Sequence, residues 1–275
     1  MAVLTLEAPA KLNLCLRVGP VRDDGYHPLA SLMIALDGLS DTVTVRHADR
    51  REVTCPGVDG PANLAWTALD ALEAEAGTSL PPLAVDIAKR IPAEAGLGGG
   101  SSDAAAVLVA ARDLLGLPLD AAALERAAAR GGPTCRSWCA AGPVGHRPGE
   151  RLAPVPPPAG LWALVVPPVT GLSTPRVYRA FDRLARPSDP PAVPPSGPWT
   201  SGWAVNDLWP AALACAPRLG AVARRLWALR PRAVILCGSG GAMAALFDDG
   251  AAAASAAAAW GPGAALCRPA PPRPI

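Results

Sequence analysis

Pro92-Ala93-Glu94-Ala95-Gly96-Leu97-Gly98-Gly99-Gly100-Ser101-Ser102 is the stretch on which the reading of this chain turns. Before it, Leu83, Val85 and Ile87 alternate with other residues, so the spacing predicts a strand running to about Ile91, where Pro92 stops it. After it, Val107, Leu108, Ala111, Leu114 and Leu115 fall on one helical face, and Gly116 with Pro118 closes a helix expected over 102–115. Consecutive glycines between a strand and a helix let backbone N–H groups converge on one concavity. The helix dipole adds partial positive charge there, and Ser101 and Ser102 add hydroxyl donors. That combination suits a polyphosphate. It is not a Walker A loop, because no Gly-Lys-Ser/Thr follows. Nor is it G-x-G-x-x-G, because counting from Gly96 the last place is Ser101.

Outward from the loop, Leu4, Leu6 and Ala8 alternate with polar residues, and Leu12, Leu14 and Leu16 do so again, predicting strand, bend, strand. A further strand is expected over 42–46, and a helix over 63–76 with Asn63 as its N-cap. Helices are expected at 119–130, 209–229 and 251–260, with strands at 161–166, 233–236 and 242–247. The six prolines of 185–203 mark a loop, and proline-rich 267–275 reads as a frayed tail. Strands and helices interleave without regular βαβ alternation, so the fold class is α+β. A composition break near 150–160 suggests two domains, 1–150 and 151–275.

The chain has 275 residues, 51% of them apolar and 17% charged, which excludes a disordered protein. A net charge of +2 gives no basic field for a nucleic-acid partner. No stretch is long and apolar enough for a membrane helix, and the first residues lack a leader's basic and apolar regions. A cytoplasmic protein is expected. Seven cysteines, odd in number and scattered, fit reduced thiols, and Cys135-x3-Cys139 near His146 lacks a fourth ligand, so no protein-held metal site is expected. Of the 25 basic residues only Lys11 and Lys89 are lysines. Arg, Ala, Gly and Pro have G/C-rich codons and Lys does not, so a lysine that persists in this composition points to a use.

Gly-Leu-Gly-Gly-Gly-Ser-Ser-Asp-Ala-Ala, beginning at Gly96, resembles the phosphate-binding loop of the GHMP small-molecule kinases. Pro9-Ala10-Lys11-Leu12-Asn13-Leu14, Asp24-Gly25-Tyr26-His27, Asn206-Asp207-Leu208 and Gly238-Ser239-Gly240-Gly241 follow in collinear order. They narrow the resemblance to members acting on a cytidine diphosphate conjugate of methylerythritol. The resemblance implies an N-terminal ATP-binding domain, a C-terminal ferredoxin-like domain, and a small-molecule substrate in the cleft between, with ATP and Mg²⁺ as cofactors. Lys11 matches the catalytic lysine, and Asn13, two residues on along a strand, reaches the same side. Residues Pro92 to Ser102, with Asn63 and Leu64, match the ATP site. Tyr26 and His27 match the cytidine contacts, Tyr178 a second aromatic stacker, and Gly238, Ser239 and Gly240 a second glycine loop near the transferred group. Tyr26 and Tyr178 are expected to sandwich the cytosine. A side chain on Gly99 is expected to intrude on bound phosphate.

The pattern breaks at one place. The family carries its proton-accepting aspartate in a Gly-Ala-Asp-Val-Pro-Phe stretch, and here Pro133 stands at that position. No Asp or Glu occurs between Arg126 and Gly149, and resemblance resumes at Gly149-Glu150-Arg151-Leu152. Codons for Thr134 to Ala141, read one base earlier, can spell Asp-Val-Pro-Phe-Leu-Val-Arg-Gly. Two compensating frameshifts therefore account for the segment. The alternative reading is a nucleotide-binding protein of the same fold, impaired because it lacks its base.

Overall fold

A computed structural model describes residues 2–23, 25–130, 135, 144–147, 151–154, 158–184 and 200–270. Two long strands, β1 (Val3–Val18) and β2 (Leu29–His47), form its antiparallel spine. The expected strand, bend, strand is one strand whose register slips between Pro9 and Lys11 and again between Asn13 and Cys15. Proline cannot donate to a ladder, so a register slip beside it costs no hydrogen bond. Alternation along β1 buries Leu12 and Leu14 completely and turns Lys11 and Asn13 to the opposite face.

Strands β3 (Glu52–Thr54) and β4 (Leu83–Ala88) extend the sheet beyond β2. Helices α1 (Leu64–Ala76), α2 (Gly99–Leu115) and α3 (Ala121–Ala129) pack on these strands. Their shared core joins Val43, Val45 and Val85 to Leu69, Leu72, Leu108 and Leu124. Asn63 caps α1 as expected, its side chain accepting from the Ala65 N–H at 2.9 Å. The hairpin of β5 (Val144–Arg147) and β6 (Arg151–Pro154) adds to β2, so position 150/151 lies between two paired strands.

The second half contains β7 (Trp162–Val166), α4 (Thr174–Leu184), the short β8 (Val205–Asn206), α5 (Trp209–Cys215) and α6 (Leu219–Trp227). Then come β9 (Ala233–Leu236), β10 (Met243–Phe247), α7 (Gly250–Trp260) and β11 (Ala265–Pro269). The single helix expected over 209–229 is two helices, because Pro217 has no N–H to continue the first. Helix α4 was not expected; Ser173-Thr174-Pro175 is its start signal, and Val177 and Phe181, one turn apart, are its buried contacts.

Residues 267–269, read from sequence as part of a tail, belong to β11, which runs between β2 and β7. The continuous order β3-β4-β2-β11-β7-β10-β9 depends on that strand. Composition hid it, because Pro269 and Pro271 suggest fraying while Cys267 is buried between neighbours on both sides. Where β11 meets β2, Gly38 has φ +108°, and a Cβ there would lie 2.6 Å from the Leu266 carbonyl oxygen. Gly38→Ala should therefore destabilise the protein by about 1–3 kcal/mol from backbone strain alone. An unchanged midpoint in urea denaturation would show that Gly38 does not hold this left-handed conformation in solution.

Candidate active site

The phosphate loop leaves β4 and enters α2 through Gly98, whose φ of +72° suits glycine and places it at the helix N-cap. The helix starts three residues before the expected 102, so its first turn is Gly99-Gly100-Ser101-Ser102. The Ser102 N–H is taken by the Gly98 carbonyl at 2.9 Å, whereas first-turn N–H groups ahead of it have no intrahelical acceptor and are what an anion would meet. A Cβ on Gly99 would meet Ile91 Cγ2 at 3.1 Å, Lys89 Nζ at 3.1 Å and Asp41 Oδ2 at 3.2 Å, so the closest groups to this glycine are protein side chains.

A cavity of about 340 Å³ opens beside the loop, walled by Pro92 to Gly100 together with Cys55, Leu64, Lys89 and Asp103. Leu64 is 39% exposed and offers an apolar surface there. Asn63 also lines it, but its amide is engaged by the fold: Oδ1 caps α1, and Nδ2 donates to the Val58 carbonyl at 2.8 Å.

Lys11 reaches the far side of the loop. Its backbone N–H donates to Leu97 O at 2.8 Å, and its ammonium donates to Gly96 O at 2.6 Å and to Asn13 Oδ1. Asn13 in turn donates to Ser31 Oγ at 2.7 Å, and that hydroxyl donates to Cys15 O at 2.7 Å. Burial holds the Lys11 ammonium down at about 8, despite a smaller opposing influence from Cys237. Lys11 and Asn13 thus form one fixed polar pair against the phosphate loop.

The second glycine loop closes on the same place. Asn206 Nδ2 donates to Leu236 O at 2.9 Å and Gly238 O at 2.7 Å, and its Oδ1 accepts from the Leu208 N–H. Gly238, at φ +58°, lies so near that a Cβ would be 2.8 Å from Lys11 Nζ. The Gly241 N–H donates to Glu94 O at 3.2 Å, and the Ala242 N–H to Ala95 O at 3.1 Å. A Cβ on Gly240 would overlap the Gly96 amide nitrogen, and one on Gly96 would overlap the Cys237 carbonyl oxygen. The two glycine loops therefore meet backbone to backbone. Ser239 Oγ pairs with Thr174 Oγ1 at 2.8 Å, tying α4 to the second loop.

Of the residues matched to the cytidine contacts, His27 and Tyr178 lie against each other. His27 packs on Tyr178, with ring centroids 5.5 Å apart, and meets the edge of Phe181 at 5.8 Å. Its Nδ1 pairs with Gly19 O at 2.8 Å and its Nε2 with Asp182 at 3.0 Å. Tyr178 is deep enough for burial to push its phenol up to about 12, while Tyr26, one residue before His27, is 72% exposed. It is the imidazole that the structure places on Tyr178. Residues 131–134 and 136–143, where the aspartate segment falls, lie outside the described residues. Cys135 within it is a buried free thiol, raised by burial to about 12. Among the described residues no cluster of His, Cys, Asp or Glu is arranged to hold a metal, and no helix is long and apolar enough to cross a membrane. Asp41, fully buried beneath the loop, was missed from the sequence; it is 50 residues from Ile91, whose N–H it accepts, and no local pattern marks it.

The model of the GHMP kinases N terminal domain matches residues 63–137, which includes α1, the phosphate loop and α2. The fold agrees over its whole length with solved GHMP kinases. A homoserine kinase from Cytophaga hutchinsonii superimposes with a TM-score of 0.69 over 98% of this chain and 95% of its own, at 17% identity, a likeness of fold alone. The fold and the loop thus define a GHMP kinase. Curated relatives are more specific: the 4-diphosphocytidyl-2-C-methyl-D-erythritol kinase of Rhodococcus jostii is 39% identical, the match covering 88% of this chain and 83% of the relative. That of a Nocardioides species is 40% identical over 89% of this chain and 92% of its own. A crystal structure of 4-(cytidine 5'-diphospho)-2C-methyl-D-erythritol kinase, 33% identical, superimposes with a TM-score of 0.78 over 97% of this chain and all of that one. The chain belongs to the 4-diphosphocytidyl-2-C-methyl-D-erythritol kinase family.

The seam between the glycine loops yields a direct expectation. Gly240→Ala forces main chain against main chain, so it should cost more than the ~1–3 kcal/mol usual for an overpacked core. Thermal unfolding of the purified variant measures this. A melting temperature within a degree of the parent would mean that the loops are not in contact in solution.

Proposed function

We propose that the chain transfers the γ-phosphoryl group of ATP to the 2-hydroxyl of 4-diphosphocytidyl-2-C-methyl-D-erythritol. The observation that carries this reading is the convergence of Lys11, Asn13 and the Gly238 loop on Gly96, in the same loop that opens α2 with first-turn N–H groups lacking intrahelical acceptors. The family of its relatives supplies the substrate. In this reading residues 1–150 hold the nucleotide, residues 151–275 complete the acceptor site, and the protein works in the cytoplasm, where its six described free thiols stay reduced.

Each group then has a chemical task. The triphosphate lies along Gly98 to Ser102, where main-chain N–H groups and the α2 dipole offset its charge. Leu64 and the neighbouring cavity wall take the adenine. Tyr26, His27 and Tyr178 hold the cytosine, with His27 fixed by Gly19 and Asp182 rather than free to turn. The acceptor oxygen forms a bond to the γ-phosphorus as the bond from that phosphorus to its bridging oxygen breaks, and ADP leaves. Lys11 orients the attacking hydroxyl and balances the charge that develops on the transferred group. A Mg²⁺ ion bound with the nucleotide would supply charge neutralisation to the phosphate oxygens. With no acidic cluster among the described residues, it would be held mainly by those oxygens, with the Ser101 hydroxyl within the loop as the protein's contribution. The hydroxyl proton needs a carboxylate, which the family keeps in the segment where this chain has Pro133.

Formation of ADP dependent on 4-diphosphocytidyl-2-C-methyl-D-erythritol tests the reaction. Equal turnover with homoserine or mevalonate would overturn the substrate assignment. Lys11→Met should lower turnover by about 10²–10³-fold, the usual cost of one charge-stabilising donor. In the parent the rate should also fall as pH rises through about 8, where the Lys11 ammonium loses its proton, and this limb should be missing in Lys11→Met. The same shift has the opposite sign for stability. Between about 8 and 10.5 the unfolded lysine binds a proton that the folded one does not, so Lys11's contribution to stability rises with pH. The parent-minus-Lys11→Met difference in unfolding free energy should rise across that window, by roughly 3 kcal/mol at ~1.36 kcal/mol per pH unit.

The base is tested by repair. Restoring Asp-Val-Pro-Phe-Leu-Val-Arg-Gly across 134–141 should raise turnover by about 10²–10⁴-fold, the usual worth of a general base. Equal rates in the parent and the repaired chain would show that another group takes the proton.

A further inference from the structure

Beneath the phosphate loop lies a charged cluster that the roles above leave unused. Asp41, on β2, has no exposed surface. Its Oδ1 accepts the N–H groups of Arg90 at 2.6 Å and Ile91 at 2.8 Å, and its Oδ2 accepts from the Lys89 ammonium. The same ammonium donates to Asp103 Oδ2 at 2.7 Å, and Asp103 belongs to α2. Burial works against the Lys89 charge, but hydrogen bonds to Asp103 and Asp41 outweigh it and leave the ammonium stabilised. Burial also raises the Asp103 carboxyl to about 6, against the pull of Lys89.

Two buried carboxylates with a half-buried lysine are a poor way to gain stability, since well-packed apolar side chains do as well or better. What they supply is geometry. Asp41 grips the chain where it enters the phosphate loop, Asp103 lies on the helix where it leaves, and Lys89 bridges the two. Gly99 is shaped to this bridge, because its missing Cβ would press on Lys89 Nζ and Asp41 Oδ2. Lys89 and Asp103 also line the cavity beside the loop. Asp103 Oδ1 is the one buried side-chain oxygen or nitrogen among the described residues without a hydrogen-bond partner, so the cluster is incomplete on its own.

We propose that Asp41, Lys89 and Asp103 act together as positioning residues that set the phosphate loop's grip on the nucleotide. The inference rests on the reading that this loop binds ATP. Calorimetric titration of the full chain with ATP, and separately with cytidine diphosphate as a probe of the acceptor site, tests it. Lys89→Met should weaken ATP binding by about 10–100-fold, the range expected for loss of charge-assisted hydrogen bonds. Cytidine diphosphate affinity should stay within about threefold, and Lys89→Arg, which keeps the charge and reaches both carboxylates, should recover most of the ATP affinity. If Lys89→Met does not fold, the isosteric Asp103→Asn serves, with a smaller loss in the same direction. ATP affinity unchanged in the folded variants, or equal loss of both ligands, would overturn the proposal while leaving the nucleotide site intact. A parent chain that binds no ATP would instead overturn the reading of the loop itself.

Discussion

Main chain meeting main chain at Gly96 and Gly240 is the constraint on which the rest of the site depends. Neither position has room for a Cβ, and the contact is held by hydrogen bonds from the Gly241 and Ala242 N–H groups to Glu94 and Ala95. Such an approach brings loops about 140 residues apart in the chain to within reach of one lysine side chain. The Gly96 carbonyl that receives Lys11 belongs to this seam, and Gly238 closes over the same ammonium. A side chain at any of these glycines would widen the gap, and the polar atoms would lose their common focus.

The site places a charge where solvation is poor. The Lys11 ammonium is surrounded by a carbonyl, an amide oxygen and buried strand, and it holds its proton less tightly than a lysine in water. Burying an ammonium with two acceptors sacrifices stability. In exchange the group is held still and aimed, with its third proton available to a ligand. The Asp41–Lys89–Asp103 cluster is the contrasting case: there the two acceptors are carboxylates, and they keep the lysine charged. The only two lysines in the chain thus stand on opposite sides of one loop with different electrostatic surroundings.

How much of this was legible in the sequence follows from the range of the interactions. The Asn63 cap and the α2 face depend on residues a few positions apart and were read correctly. The strand before Pro92 was read correctly in kind but ends at Ala88, because the Arg90 and Ile91 N–H groups go to Asp41 instead of a ladder. The start of α2 was misplaced by three residues because glycines have poor helix propensity. Propensity is outweighed here by the αL turn at Gly98 and by packing of the helix on the sheet. Strand β11 was hidden by its prolines, since pairing on both sides, not intrinsic preference, makes it a strand. Helix α4 is strongly amphipathic, but only Val177 and Phe181 are buried, too sparse an apolar stripe to stand out beside the proline-rich segment that follows.

By itself the sequence determined the chemistry on offer: a glycine-rich anion loop opening a helix, a strand lysine paired with an asparagine two residues on, and a turn carrying Tyr26 and His27. These are local because each needs only a few consecutive residues in one backbone conformation. Only the tertiary structure decided which groups meet. It put His27, not Tyr26, against Tyr178, pressed one glycine loop onto another about 140 residues away, and brought Asp41 beneath the chain entering the phosphate loop. Those pairings rest on strand order and on the absence of side chains at the points of closest approach. Neither property leaves a periodic mark along the chain.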